Sequence, residues 1–109
     1  MFKFKERTET KTIDVLLTDT GDDDITVRQL RATYKTQGSF EIKSHYVITK
    51  DGEITSIRDV NALSGVGEYN VVILVVGSTI SDVQMKTVDT LVHELKNKYP
   101  GVETVSYKE

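Results

Sequence analysis

His45 and His93 are the only imidazoles in this chain of 109 residues, and there is no cysteine. A catalytic zinc takes three protein ligands and keeps a fourth position open, and nothing in the sequence brings the two histidines together with a carboxylate. The lack of cysteine also removes disulfides, Cys-ligated zinc, iron–sulfur clusters and thiol catalysis. Ser44 precedes His45, but neighbours on a strand point to opposite faces, which denies them the hydrogen bond that activates a nucleophile. No Gly-x-Ser-x-Gly elbow and no phosphate-binding Gly-Lys-Ser/Thr loop is present. Asp22-Asp23-Asp24 invites a calcium or magnesium reading, yet it lacks the ligand spacing and distal Glu of an EF-hand. It reads instead as a solvated loop leading into a helix, where acidic residues suit the helix dipole. Gly65 and Gly67 form no dinucleotide fingerprint, because they neither follow a suitable strand nor open a helix.

The length suits one domain over residues 1–109, with residues 1–10 either a flexible segment or an edge strand whose lysines discourage pairing. Such a chain buries a core without disulfides or a structural metal. A net charge of -3 argues against a general nucleic-acid binder. No apolar run approaches the roughly 20 residues of a membrane span, and Met1 to Arg7 lacks the apolar core of a signal peptide. The expectation is a soluble, cytoplasmic protein.

The elements that must position any chemistry centre on Ser44 to Arg58, which reads as a β-hairpin. Asp51-Gly52 is its turn signal, of the type I′ kind with positive φ at both central positions. Ser44, Tyr46 and Ile48 share one strand face, and His45, Val47 and Thr49 the other. Thr12 to Leu17 is a β-rich first strand. Thr26 with Gln29 makes a capping box for a helix whose Val27, Leu30 and Tyr34 share one face and which Gly38 ends. Arg28, Arg31 and Lys35 form its basic outer stripe. Val71 to Val76 is a continuous apolar run and reads as a central strand buried on both faces. Ser81 with Gln84 caps a second helix with Val88, Leu91, Val92, Leu95 and Tyr99 as its apolar stripe. His93 lies on its polar side, one turn after Asp89. Val102 to Tyr107 is a last strand. The predicted order is β-α-β-β-β-α-β, an α/β domain with a mixed sheet and two main helices.

This ordered set resembles the N-acetylmuramoyl-L-alanine amidases of the phage-lysozyme type, which share a fold with the peptidoglycan recognition proteins. The likeness rests on Val27-Arg28-Gln29-Leu30-Arg31 with Lys35-Thr36-Gln37-Gly38, on Ser44-His45-Tyr46-Val47-Ile48 followed by Lys50-Asp51-Gly52 and Arg58-Asp59, and on Ile73 to Gly77 and Gln84 to Tyr99. It covers the chain from about Thr12 onward. The resemblance implies zinc ligands and a catalytic tyrosine, and this chain departs from the pattern at each of them. The first zinc histidine corresponds to Leu16 or Leu17, the catalytic tyrosine to Ser44, a groove histidine to Val66, and the second zinc histidine to Tyr107 or Lys108. The chain ends before the third ligand.

On these departures the sequence predicts no metal, no cofactor and no route to amide hydrolysis. The expectation is a non-catalytic binding or regulatory protein on a degenerate amidase scaffold, encoded by a phage. Its partner would be a protein or a small ligand such as a peptidoglycan fragment. The implied groove would be lined by Leu16, Leu17, Ser44, Tyr46, Val66 and Tyr107, on the sheet face away from the long helix; Arg28, Arg31 and Lys35 offer an alternative partner surface. Two other readings stay open: an amidase with residual or partner-completed activity, and a structural component of a virion.

Overall fold

The computed structural model describes residues 9–18, 26–36, 42, 44–62 and 69–108. Its elements follow as β1 (Thr12–Leu17), α1 (Val27–Thr36), β2 (Tyr46–Ile48), β3 (Ile54–Ser56), β4 (Asn70–Val75), α2 (Asp82–Lys98) and β5 (Thr104–Lys108), the order expected of the sequence. A strand made of an uninterrupted apolar run must be covered on both faces. β4 is that strand, buried along its whole length. It lies at the middle of a five-stranded sheet of order β3-β2-β4-β1-β5. β4 runs parallel to β1 and β2, and β1 parallel to β5. β3 is the one antiparallel member, added at the edge by the hairpin.

Side-chain alternation divides the core in two. Ile13 and Val15 of β1, Ile48 of β2, and Val71, Ile73 and Val75 of β4 meet Val88, Leu91, Val92 and Leu95 of α2. On the opposite face Val47, Leu74 and Val76 meet Leu30 of α1 and Ile42. Both helices start where their capping boxes lie. Gln29 N donates to Thr26 Oγ1 and Thr26 N to Gln29 Oε1; Gln84 N donates to Ser81 Oγ and Ser81 N to Gln84 Oε1.

The hairpin turn differs from the expected type I′ geometry. Gly52 N donates to the Thr49 carbonyl at 2.9 Å, so Lys50 and Asp51 are the central residues. Gly52 follows them with φ of +84°, and Thr49 N donates to the Glu53 carbonyl. This is the longer hairpin loop in which a turn is followed by a left-handed glycine. The register Ile48↔Ile54 leaves five residues between the paired positions, too many for a two-residue turn. The acidic run 22–24, Gly38, the glycines at 65 and 67 and the expected terminal strand all lie outside the described residues.

Candidate functional site

The positions read as a groove are divided by the sheet. Leu16 packs with the α1 side of the core. Leu17 and Tyr46 pack instead against the cluster that α2 covers. Tyr46 shares its face with Ile48, which is fully buried against α2, so strand alternation carries Tyr46 to the helix side and away from any groove on the other face. Tyr107 is in register with Val15, another residue of the α2 side, and is half exposed at the sheet edge. Ser44 is buried, with its hydroxyl donating to the Tyr46 carbonyl at 3.2 Å. Tyr46 and Val15 both register with Ile73. Ser44 is therefore separated from Leu16 by roughly 10 Å along the strands and roughly 10 Å across them, at usual strand spacings. Val66 lies outside the described residues. Arg28, Arg31 and Lys35 are exposed on α1 and meet none of the others.

The chemistry-bearing side chains are likewise kept apart. His45 is fully buried. Its Nδ1 accepts from Val72 N at 3.0 Å, and its Nε2 lies 2.8 Å from the Ala62 carbonyl. An amide can only donate and a carbonyl can only accept, so the proton sits on Nε2 and the ring is neutral. Both nitrogens are thereby committed to the backbone. His93 is exposed on α2, and no ion pair joins it to Asp89 among the described residues. Among the described residues no three His, Cys, Asp or Glu side chains converge to hold a metal ion. The donors among the described residues therefore do not fit the zinc that the fold family implies.

One polar constellation escapes a reading of the sequence by motif. Asp14 stands between Ile13 and Val15, so it faces away from α2, on the side of Leu16. Asn70 Nδ2 donates to Asp14 Oδ2 at 2.8 Å. Ser106 is in register with Asp14, and Thr12 with Asn70 and Thr104. A half-buried carboxylate, a buried amide and several hydroxyls thus share one side of β1, β4 and β5. The only sequence signal is a charge in the interior of a β-rich run. A separate cavity of about 300 Å³, lined by residues including Glu9, Asn61, Lys98 and Tyr99, opens where the chain enters β1 and β5. It lies at the other end of the strands from Leu16, and the Tyr99 hydroxyl closes one side by donating to Asn61 Oδ1.

The fold defines the class: the architecture shared by N-acetylmuramoyl-L-alanine amidases and peptidoglycan recognition proteins. The endolysin amidase LysCS of Clostridium intestinale superposes with a TM-score of 0.79 over 97% of this chain and 73% of its own, at 23% identity. The ectodomain complex of peptidoglycan recognition proteins LCa and LCx, bound to tracheal cytotoxin, matches with a TM-score of 0.70 over 98% of this chain and 75% of that one, at 12% identity. No family model matches the sequence. The endolysin of Klebsiella phage KP32 is 30% identical over 119 aligned positions, covering 96% of this chain and 79% of the relative. The endolysin of Enterobacteria phage K11 is 31% identical over 90 residues, 71% of this chain, which spans 60% of that relative's length. The chain belongs to the phage endolysins. This finding corrects the expectation of a non-catalytic binding or regulatory protein, because the relatives in sequence and fold are endolysins and an amidase.

Proposed function

We propose that this chain acts on peptidoglycan as an N-acetylmuramoyl-L-alanine amidase whose site is completed by groups outside the described residues. The observation that carries the reading is the 30% identity to the KP32 endolysin through 79% of that protein's length. The complex of recognition proteins LCa and LCx with tracheal cytotoxin supports a peptidoglycan ligand for the fold. The bond hydrolysed would be the amide between the lactyl group of N-acetylmuramic acid and the first L-alanine of the stem peptide. This chain's own contribution is the sheet face that receives the substrate. Ser44 and His45 act neither as nucleophile nor as base, since their polar atoms are held by backbone groups.

The test uses purified sacculi and reads new alanine amino termini by mass spectrometry. It is run with the purified chain plus zinc, and with lysate of the cells that make the chain, before and after immunodepletion. Depletion is expected to remove the alanine-releasing activity. Release that survives depletion unchanged, with none from the purified chain, would overturn the amidase reading.

A further inference from the structure

β3 forms one edge of the sheet. Thr49 N donates to the Glu53 carbonyl and Ile57 N to the His45 carbonyl, so the backbone groups turned toward β2 are those of Glu53, Thr55 and Ile57. The amides and carbonyls of Ile54 and Ser56 therefore point outward, and both residues are exposed. Ile54 is in register with Ile48, which packs against α2, and so lies on the α2 side. There it is 45% exposed and lines a cleft of about 390 Å³ with Gly52, Lys86, Thr87 and Thr90. An edge with open backbone groups and an exposed isoleucine is a template for another strand. Neither lysine nor proline stands in Ile54 to Ser56 to block it.

We propose that β3 pairs with β3 of a second copy of this chain, antiparallel about a two-fold axis at Thr55. Bonding through the outward groups sets Ile54 opposite the partner's Ser56, and the axis then passes between the two Thr55 residues. Charge order on α2 selects a second copy over an unrelated strand. Gln84, in the first turn of α2, donates to carbonyls at the ends of β2 and β4, so α2 runs back along both and parallel to β3. Lys86, Thr90 and Glu94 stand four apart on one exposed ridge. Ile54 is level with about residue 88, the middle of its three neighbours on the helix. One strand step of roughly 3.3 Å matches about two helix residues at 1.5 Å each, which puts Thr55 level with Thr90. An axis at that level sets Lys86 toward the partner's Glu94, and Glu94 toward the partner's Lys86. Among the described residues no ion pair within the chain takes up either one. The hydrogen-bonding phase of the edge and the charge order of the helix thus locate the same axis independently. It stands normal to the sheet, so the faces opposite α2 in the two copies look the same way.

Sedimentation equilibrium of the full chain, as a concentration series at low and at high salt, should show a monomer–dimer equilibrium that salt weakens. Lys86→Glu and Glu94→Lys change exposed side chains and leave the core alone. Each variant alone should dimerise roughly tenfold more weakly, and an equimolar mixture of the two should recover the dimer, because ridges of opposite sign then meet. Mixing cannot rescue a variant that is merely misfolded. The register is read separately. The chain has no cysteine, so Thr55→Cys puts one thiol per copy at the axis, across a non-hydrogen-bonded pair close enough for a disulfide. Mild oxidation should link Thr55→Cys into dimers and leave Glu53→Cys unlinked, since Glu53 would lie opposite the partner's Ile57. A chain that is monomeric at every concentration, a dimer indifferent to both charge variants, a mixture that recovers nothing, or linking of Glu53→Cys as readily as Thr55→Cys would overturn the proposal. None of these readouts passes through alanine release, so the dimer and the amidase reading fail separately.

Discussion

His45 works as a piece of backbone. β2 begins only at Tyr46, yet His45 N already donates to the Val72 carbonyl, and its own carbonyl accepts from Ile57 N. The ring then stands in for the missing ladder acceptor by taking the Val72 amide. Replacement by leucine keeps the volume and leaves the buried Val72 amide without its acceptor, worth about 1–3 kcal/mol when unsatisfied. His45→Leu is therefore expected to lower unfolding free energy by about 1–3 kcal/mol in a denaturant titration. A loss below 1 kcal/mol, on the order of a neutral surface change, would show that the ring bonds are not formed. The tautomer can be seen directly, because an N–H···N bond gives a scalar coupling between Val72 N and the imidazole nitrogen. Asp51 is the residue whose titration the fold alters. Its carboxylate accepts from Thr49 Oγ1 at 2.5 Å and from Glu53 N at 3.0 Å, which holds its pKa below the ordinary 3.8. A carboxyl lowered on folding stabilises above its unfolded value and loses that contribution as pH falls through the folded one. The stability gap between wild type and Asp51→Ala should therefore be full at neutral pH and shrink below about pH 3.8. A gap that is constant with pH would mean that the two hydrogen bonds do not favour the charged form.

At the scale of elements, the hairpin and α2 are locked by one glycine and one glutamine. A Cβ at Gly52 would stand 2.5 Å from Val83 Cγ1 and 3.1 Å from Thr87 Oγ1, at a φ of +84°. Gly52→Ala thus meets both a left-handed backbone, costing about 1–2 kcal/mol, and overpacking of about 1–3 kcal/mol. In the background of Val83→Ala only the backbone part should remain, and a double-mutant cycle by chemical denaturation separates the two. Gln84 is fully buried. Its Nε2 donates to the carbonyl of Val76 at 2.9 Å and of Thr49 at 3.2 Å, while Oε1 completes the helix cap. It ties the exits of β2 and β4 to the first turn of α2. Gln84→Leu should cost about 2–4 kcal/mol, against about 1 kcal/mol for Ser81→Ala, which removes a cap alone. Equal losses for the two would show that the carbonyl contacts contribute nothing. The capping box is legible in the sequence as Ser-x-x-Gln; the reach of the same amide across to two strand ends is not. It depends on where β2 and β4 stop in space.

For the whole molecule, the elements and their order are legible because each carries its own local signal: two capping boxes, an Asp-Gly turn and an unbroken apolar run for β4. The faces are harder. Strand alternation says that Tyr46 and Ile48 travel together, but which side they take depends on where α2 packs, and no local pattern states that. Leu16 and Leu17 are adjacent, and a parity error of one residue exchanges groove for core. Asp14 and Asn70 meet across 56 positions of sequence, so neither announces the other. The same long reach has a consequence in time. β1 pairs with β4 and with β5 and with nothing between them in the sequence. β1 thus waits for strands that follow it by more than 50 positions, such as Asn70 for Thr12, and has no local partner among the described residues. Contacts of such separation close slowly. A nascent chain halted before Thr104 should stay digestible by protease around Thr12 to Leu17, and resistance should appear only once Lys108 has emerged. Protection at the earlier stop would mean that β4 alone suffices to hold β1, and that synthesis and folding overlap far more than the strand order implies.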